Sequence, residues 1–501
     1  REGSDWPVNW DETNLSDTAS DDAALSTFLL DETASAGIEL FNGDAFFSNE
    51  NLPHSSTFTE NASGQFFIDP SVIRRGPFAD GNASHDLEYS RYHKSKYFCS
   101  TCHDVSNPVL ENLANGNTPP GDGTTVLPSE NVSAFEYGHV ERTFSEFMLS
   151  DYGLQGGVPG SGAYAPEVFS TSLENNFIAR CQDCHMPDKA GKASSQSKAV
   201  LRPDESSEHP GSGVPSHDMT GGNFWVPWIL ASTISTSPNY DEFNQSILNQ
   251  GPSILTLDLE AGMGLDAANL LDAADRAVAT LEKAATFEDA SYDLYTGELS
   301  FKVRNHTGHK LLSGFPEGRR MWVNIKVIGP GESLISEINP YDNNASTLKG
   351  ISFHYTDPDG ILPDPMPLSS SEELVETLVY EMLPSSSLTG EEHTFHLVLA
   401  DGRYKDNRIP PRGFRIEEAA ERLAEPAWEG ESTPGYFSAE EYLGGYDESG
   451  VETERTATRI ELRLFYQTTS REFIEFLRDE INGTSGTLPG NGIAGDPPYL
   501  I

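Results

Sequence analysis

Every cysteine in this chain falls within one of two C-x-x-C-H motifs, Cys99-Ser-Thr-Cys102-His103 and Cys181-Gln-Asp-Cys184-His185. No other feature constrains the fold as strongly. That spacing is the attachment signature of a c-type haem: two thiols add to the porphyrin vinyl groups and the adjacent imidazole ligates the iron. Two C-x-x-C pairs also suit a Cys₄ zinc site, but zinc gives no reason for a histidine directly after each pair. A thioredoxin-like dithiol needs a βαβ context that neither flank offers. The motifs predict two haem c groups held by Cys99, Cys102, Cys181 and Cys184, with His103 and His185 as proximal iron ligands.

At 501 residues the chain exceeds one typical domain, so more than one core is expected. No apolar run is long enough to span a bilayer. Against 78 acidic residues stand 32 basic ones, a formal net charge of −46. Such a surface repels nucleic acid and anionic lipid and excludes a DNA-binding role. It suits a cationic redox partner or a mineral surface, although an acidic solvated face for salty surroundings accounts for it more simply. The sequence opens at Arg1 without a signal peptide and reads as a mature or trimmed form. Covalent haem is attached outside the cytoplasm, so a periplasmic or cell-surface location is expected. With every cysteine committed to haem, no disulfide is available.

In chain order, residues 1–60 read as an acidic extended arm, 61–288 as the dihaem region, 289–480 as a β-domain and 481–501 as an extended tail. Arg74 and Arg75 open a turn and are candidates for pairing with haem propionates. Residues 85–103 are compatible with a helix carrying the first motif. On such a helix the ten residues from His93 to His103 span about 15 Å, so His93 suits the other haem's iron better than its own; His85 is the alternate. Residues 107–135 form a Pro/Gly/Asn-rich loop, and 141–150 repeat apolar positions at helical spacing. His217 stands on a Gly-rich turn beside aromatics and is within reach of either iron, with Met219 a weaker candidate. A long helix is predicted over 265–287, with Leu270, Ala274, Val278, Leu281 and Ala285 on its apolar face. Beyond it the period becomes two, at 299–303, 323–327, 395–399 and 460–466, which predicts an antiparallel β-sandwich. A short amphipathic helix is predicted over 472–478. The fold class expected is thus multidomain α+β: a mainly helical, loop-rich dihaem cytochrome c domain followed by that sandwich.

The strings RRGPF (74–78), YSRYHKSKYFCSTCHDVSNP (89–108), ERTFSEF (141–147), CQDCHMP (181–187) and HDMTGGNFW (217–225) resemble the multihaem c-type cytochromes of environmental bacteria. So do NHTGHKLLSGFPEGRRMW (305–322), YKDNRIPPRGF (404–414) and LFYQTTSREFIEFL (464–477) in the second half. In such proteins a histidine a few residues before an attachment motif often ligates a neighbouring haem, a pattern His93 matches. No histidine occupies the helical segment ahead of the second motif, so the resemblance leaves the first iron to His217 or His309. A turn between strands would present His309.

Electron transfer through two bis-His haems is the function expected, between redox partner proteins or extracellular acceptors. A variant has the acidic arm and the tail docking subunits into a conducting filament. The alternative is a dihaem enzyme, peroxidase-like or acting on nitrogen compounds, with one open iron. A third class makes the β-domain a binding module, with Asp357-Pro-Asp-Gly360 and Asp401-Gly402 as weak Ca²⁺ candidates.

Overall fold

The computed structural model describes residues 74–76, 85, 87–89, 96–100, 102–105, 141–154, 156–171, 174–186, 188–189, 214–215, 219–248, 266–314, 318–351, 365–387, 389–397 and 400–482. The arm over 1–60, nearly all of the tail, the 107–135 loop and Asp357–Gly360 lie outside these residues.

The first half is built from short pieces. A parallel ribbon joins β1 (Arg74–Gly76) to β2 (Leu87–Tyr89), and helix α1 (Lys96–Ser100) carries the first motif. Helix α2 (Thr143–Met148) comes next. A two-residue ribbon, β3 (Val158–Pro159) with β4 (Phe177–Ile178), leads to helix α3 (Cys181–His185). Another ribbon, β5 (Asp188–Lys189) with β6 (Val214–Pro215), precedes α4 (Trp225–Ser232) and α5 (Glu242–Leu248). Only α6 (Ala267–Leu281) is long; Asp266 caps it by accepting from Ala268 N at 2.9 Å.

The second half is strand-rich. A three-stranded sheet sets β7 (Ala285–Tyr292) and β18 (Tyr446–Glu452) on either side of β8 (Glu298–Asn305). An eight-stranded sheet centres on β9 (Arg320–Ile328). One edge of β9 pairs along its whole length with β19 (Arg459–Gln467). Its other edge is shared between β10 (Leu334–Ile338) and β14 (Val379–Ser385). Beyond β14 come β15 (Gly402–Asp406), β16 (Ala427–Trp428) and β17 (Glu431–Ser432); β13 (Glu372–Glu373) flanks β10. A small ribbon, β11 (Tyr341–Asp342) with β12 (Thr347–Leu348), lies between. Helix α7 (Ala439–Gly444) leads into β18, and α8 (Arg471–Asn482) comes after β19.

Period-two patterning explains the core. Leu299, Phe301 and Val303 of β8 alternate inward and meet Met321, Val323 and Ile325 of β9. Strand β9 is buried on both faces, because Trp322 on its other side packs with Leu348, Ile351 and Val379. Burial of each such side chain contributes about 1.5–3 kcal/mol.

The expected fold class is not what forms. Among the described residues the half that carries the two C-x-x-C-H motifs is not a helical domain, and the second half is not a simple antiparallel sandwich. The structure is strand-rich and only loosely α+β, and β13 joins β10 in parallel. The physical reason is length: helices shorter than about 12–15 residues are marginal on their own, and Gly/Pro-rich sequence between the apolar stretches yields 3₁₀ turns and ribbons instead. Three local expectations change too. Residues 87–89 pair as strand rather than helix. Val278 faces outward while Ala277 is buried, and Ala285 opens β7. Residues 395–397 form no strand; Phe395 instead joins Phe473 and Phe476 of α8 in an aromatic cluster.

Candidate haem site

Helix α1 is too short to hold itself, and its neighbours fix it. The buried Lys96 Nζ donates to Gly153 O at 2.7 Å. The turn continues through the motif, His103 N donating to Cys99 O at 2.9 Å, and Phe144 N then donates to His103 O at 2.8 Å. Asp104, fully buried directly after the motif, accepts from Ser145 N at 3.2 Å and Ser145 Oγ at 2.6 Å. Burial pushes its carboxyl up to about 6, against the pull of Arg142 and Ser145. Cys102 and the His103 ring stand exposed. His103 Nδ1 lies 3.2 Å from Glu141 Oε1, and this hydrogen bond raises the imidazole above its ordinary value.

Helix α3 is capped from within its own motif. Asp183 Oδ2 accepts from Ala179 N and Arg180 N, both at 3.0 Å, and Oδ1 accepts from Arg180 Nη2 at 2.8 Å. Cys184 packs on the cluster of Phe144, Phe147, Met148, Tyr152, Tyr164 and Ile178. The two motifs meet: α1 packs against α3, and the Cys99 thiol is hydrogen-bonded to Cys181. That bond and burial push Cys99 well up, and burial pushes Cys184 up. The same bond lowers Cys181. Among the described residues no three or more His, Cys, Asp or Glu side chains converge on a metal-sized point.

His185 Nδ1 lies 2.8 Å from Thr220 O. Facing it is His309, whose Nδ1 lies 2.9 Å from Lys310 O. The two ring centres are 6.3 Å apart with planes 18° from parallel. Two imidazole nitrogens each about 2 Å from one shared metal, with ring centres a further ~1.2 Å out, stand about 6.4 Å apart centre to centre. With each Nδ1 donating to a carbonyl, Nε2 is the atom each ring offers to a metal. Burial lowers the pKa of both, that of His309 to about 4, so both imidazoles are neutral at neutral pH. The residues present therefore fit an iron held between two histidines.

The loop carrying His309 is fixed on all sides. Asn305 Oδ1 accepts from Thr307 N at 2.8 Å and Thr307 Oγ1 at 2.7 Å, while its Nδ2 donates to His309 O at 2.8 Å. Lys310 N donates to Glu146 Oε2 of α2 at 3.2 Å, and Ser313 Oγ donates to the same oxygen at 2.6 Å. Lys310 Nζ and Arg408 close a buried network on Asp406, and Arg408 also reaches Glu146 at 2.9 Å. Gly308 permits the close approach to α2: a Cβ there would lie 2.8 Å from the Phe147 ring. His306, three residues earlier, is not a ligand, since its ring nitrogens take Ser161 Oγ and Thr286 Oγ1, each at 2.8 Å.

Of the other candidates, His93 and His217 lie outside the described residues, as do the side chains of Arg74 and Arg75. His85 and Met219 are exposed. Asp401, offered for Ca²⁺, spends its carboxylate on Ser387 N at 2.8 Å and Ser387 Oγ. The sequence pointed to His309 but offered it to the first iron; its ring faces His185 of the second motif. Glu141, Asn305, Thr307 and Glu146 carried no spacing signal, because their partners lie far away in the chain.

No family model matches this sequence, and no curated protein matches it. Among solved structures the chain is similar to a penta-heme cytochrome c552 from Thermochromatium tepidum, at 10% identity and a TM-score of 0.34, over 91% of this chain and 73% of that one. That likeness is too slight to carry an inference. Among the described residues no helix is long and apolar enough to cross a membrane.

Proposed function

We propose that this chain transfers electrons outside the cytoplasm through two covalently attached haem c groups, and that His185 and His309 would hold the iron of the second. The observation that carries this reading is the near-parallel pair of half-buried rings, 6.3 Å apart, each anchored through Nδ1. A haem held there supplies one-electron ferric/ferrous chemistry. The rest is the work of the chain's own side chains. Asn305, Thr307 and Glu146 prevent His309 from swinging away, so the second site is built for saturation rather than for exchange with substrate. Cys99 against Cys181 brings the two attachment segments side by side, which suits passage of an electron from one site to the other. For the first iron, His217 is the candidate distal ligand.

A dihaem enzyme is the competing reading, and it requires an iron open to small ligands. Low-temperature EPR of the oxidised protein before and after cyanide separates the two. Two low-spin signals unmoved by cyanide are expected. A high-spin signal that converts on cyanide addition overturns the carrier reading.

A further inference from the structure

The two proximal histidines differ in what holds their second nitrogen. We propose that Glu141, through His103, sets the first iron at a lower reduction potential than the second; this rests on the haem reading above. His185 Nδ1 gives its proton to a neutral backbone carbonyl, Thr220 O, at 2.8 Å. His103 Nδ1 faces a carboxylate oxygen, Glu141 Oε1, at 3.2 Å. An N–H shared with a carboxylate leaves the imidazole more electron-rich than one shared with an amide, and an electron-rich ligand favours ferric over ferrous iron.

Glu141 is held for this role. It is 7% exposed, and its backbone N–H donates to Val105 O at 3.3 Å, on the segment directly after the first motif. Its Oε2 accepts from Thr143 Oγ1 at 3.3 Å, and Thr143 Oγ1 is itself pinned by Gly314 N and Ser313 Oγ, each at 2.8 Å. The carboxylate is thereby kept on His103 rather than in solvent. Glu141 is a positioning residue, acting on the iron only through His103. The consequence is direction: an electron entering at the first site comes to rest on the second.

Spectroelectrochemical titration of the holoprotein tests this, comparing wild type with Glu141→Gln, Glu141→Asp and Thr143→Val. Two one-electron waves are expected in wild type. In Glu141→Gln the lower wave moves up by about tenfold or more in the ferric/ferrous equilibrium, about 59 mV for a one-electron couple, and the upper wave stays. Glu141→Asp keeps the lower wave near its wild-type position. Thr143→Val, which frees the carboxylate without removing it, moves the same wave the same way by less. Waves unmoved in Glu141→Gln, or both waves moved equally, overturn the proposal while leaving the haem reading intact. A purified wild-type chain that shows no haem waves overturns both.

Discussion

His306 and His309 sit three residues apart on one loop and have opposite fates. His306 spends both ring nitrogens on hydroxyls and serves as a buried bridge between Ser161 and Thr286. His309 places Nδ1 on the Lys310 carbonyl, and its ring lies 6.3 Å from that of His185. The sequence offered His309 and not His306 as a ligand, and the structural difference lies in which hydroxyls the fold brings within 3 Å of His306. The C-x-x-C-H motifs stand out in the sequence because their spacing is local; which histidine faces His185 does not, because that is set by tertiary contacts. In His309→Ala, one haem should change from low to high spin in the oxidised absorption and magnetic circular dichroism spectra, and added imidazole should restore the low-spin form. An unchanged spectrum would place the distal ligand elsewhere, at His93 or His217.

At the scale of elements, the helical periods at 141–150, 265–287 and 472–478 are met by α2, α6 and α8, and three of the four alternating stretches are met by strands. Alternation at 299–303, 323–327 and 460–466 falls on β8, β9 and β19, because successive side chains of a strand point to opposite faces. The same rule failed at 395–397, where the aromatic face of α8 captured Phe395. It also gave no hint that β13 joins β10 in parallel, since strand order depends on partners remote in sequence. The strands are further tied by buried ions. Glu381 of β14 pairs with Arg320 of β9 at 3.1 Å and Lys405 of β15 at 3.0 Å, and Arg320 also binds Glu472 of α8. Burial would raise the Glu381 carboxyl, but Lys405 and Arg320 outweigh it and hold it below its usual value. A carboxyl lower in the folded than in the unfolded chain stabilises above its unfolded value, about 4.3. That stabilisation is lost as pH falls through the folded value. Glu381→Gln should therefore cost about 3–5 kcal/mol in urea unfolding at pH 7. The gap to wild type should hold down to about pH 5 and narrow below it. A gap unchanged down to pH 3 would mean that Glu381 is not ionised in the folded protein.

Across the whole molecule, the described parts of the two halves interlock through the site. Helix α2 from the first half contributes Glu146 to the loop that carries His309, and Leu149 beside it packs among Phe414, Ala419, Phe437 and Tyr442 of the second. Arg415 Nη2 donates to Met148 O at 2.6 Å, and Asp151 N donates to Arg412 O at 3.0 Å. The segment directly after the first haem motif and the loop that faces the second are thus braced by one short helix. Loss of Glu146 should be felt at His309 as well as in stability. The net charge of −46 argues against a nucleic-acid role but says nothing of this bracing, which depends on a few buried charges. Both the ligand pair and the direction of electron flow require that the four cysteines carry haem. Denaturing mass spectrometry of the purified protein, read alongside its pyridine haemochrome spectrum, tests that most directly. Polypeptide mass plus two haems that survive denaturation is the expected result. A chain with unmodified thiols, or one carrying zinc that is lost on denaturation, would contradict it.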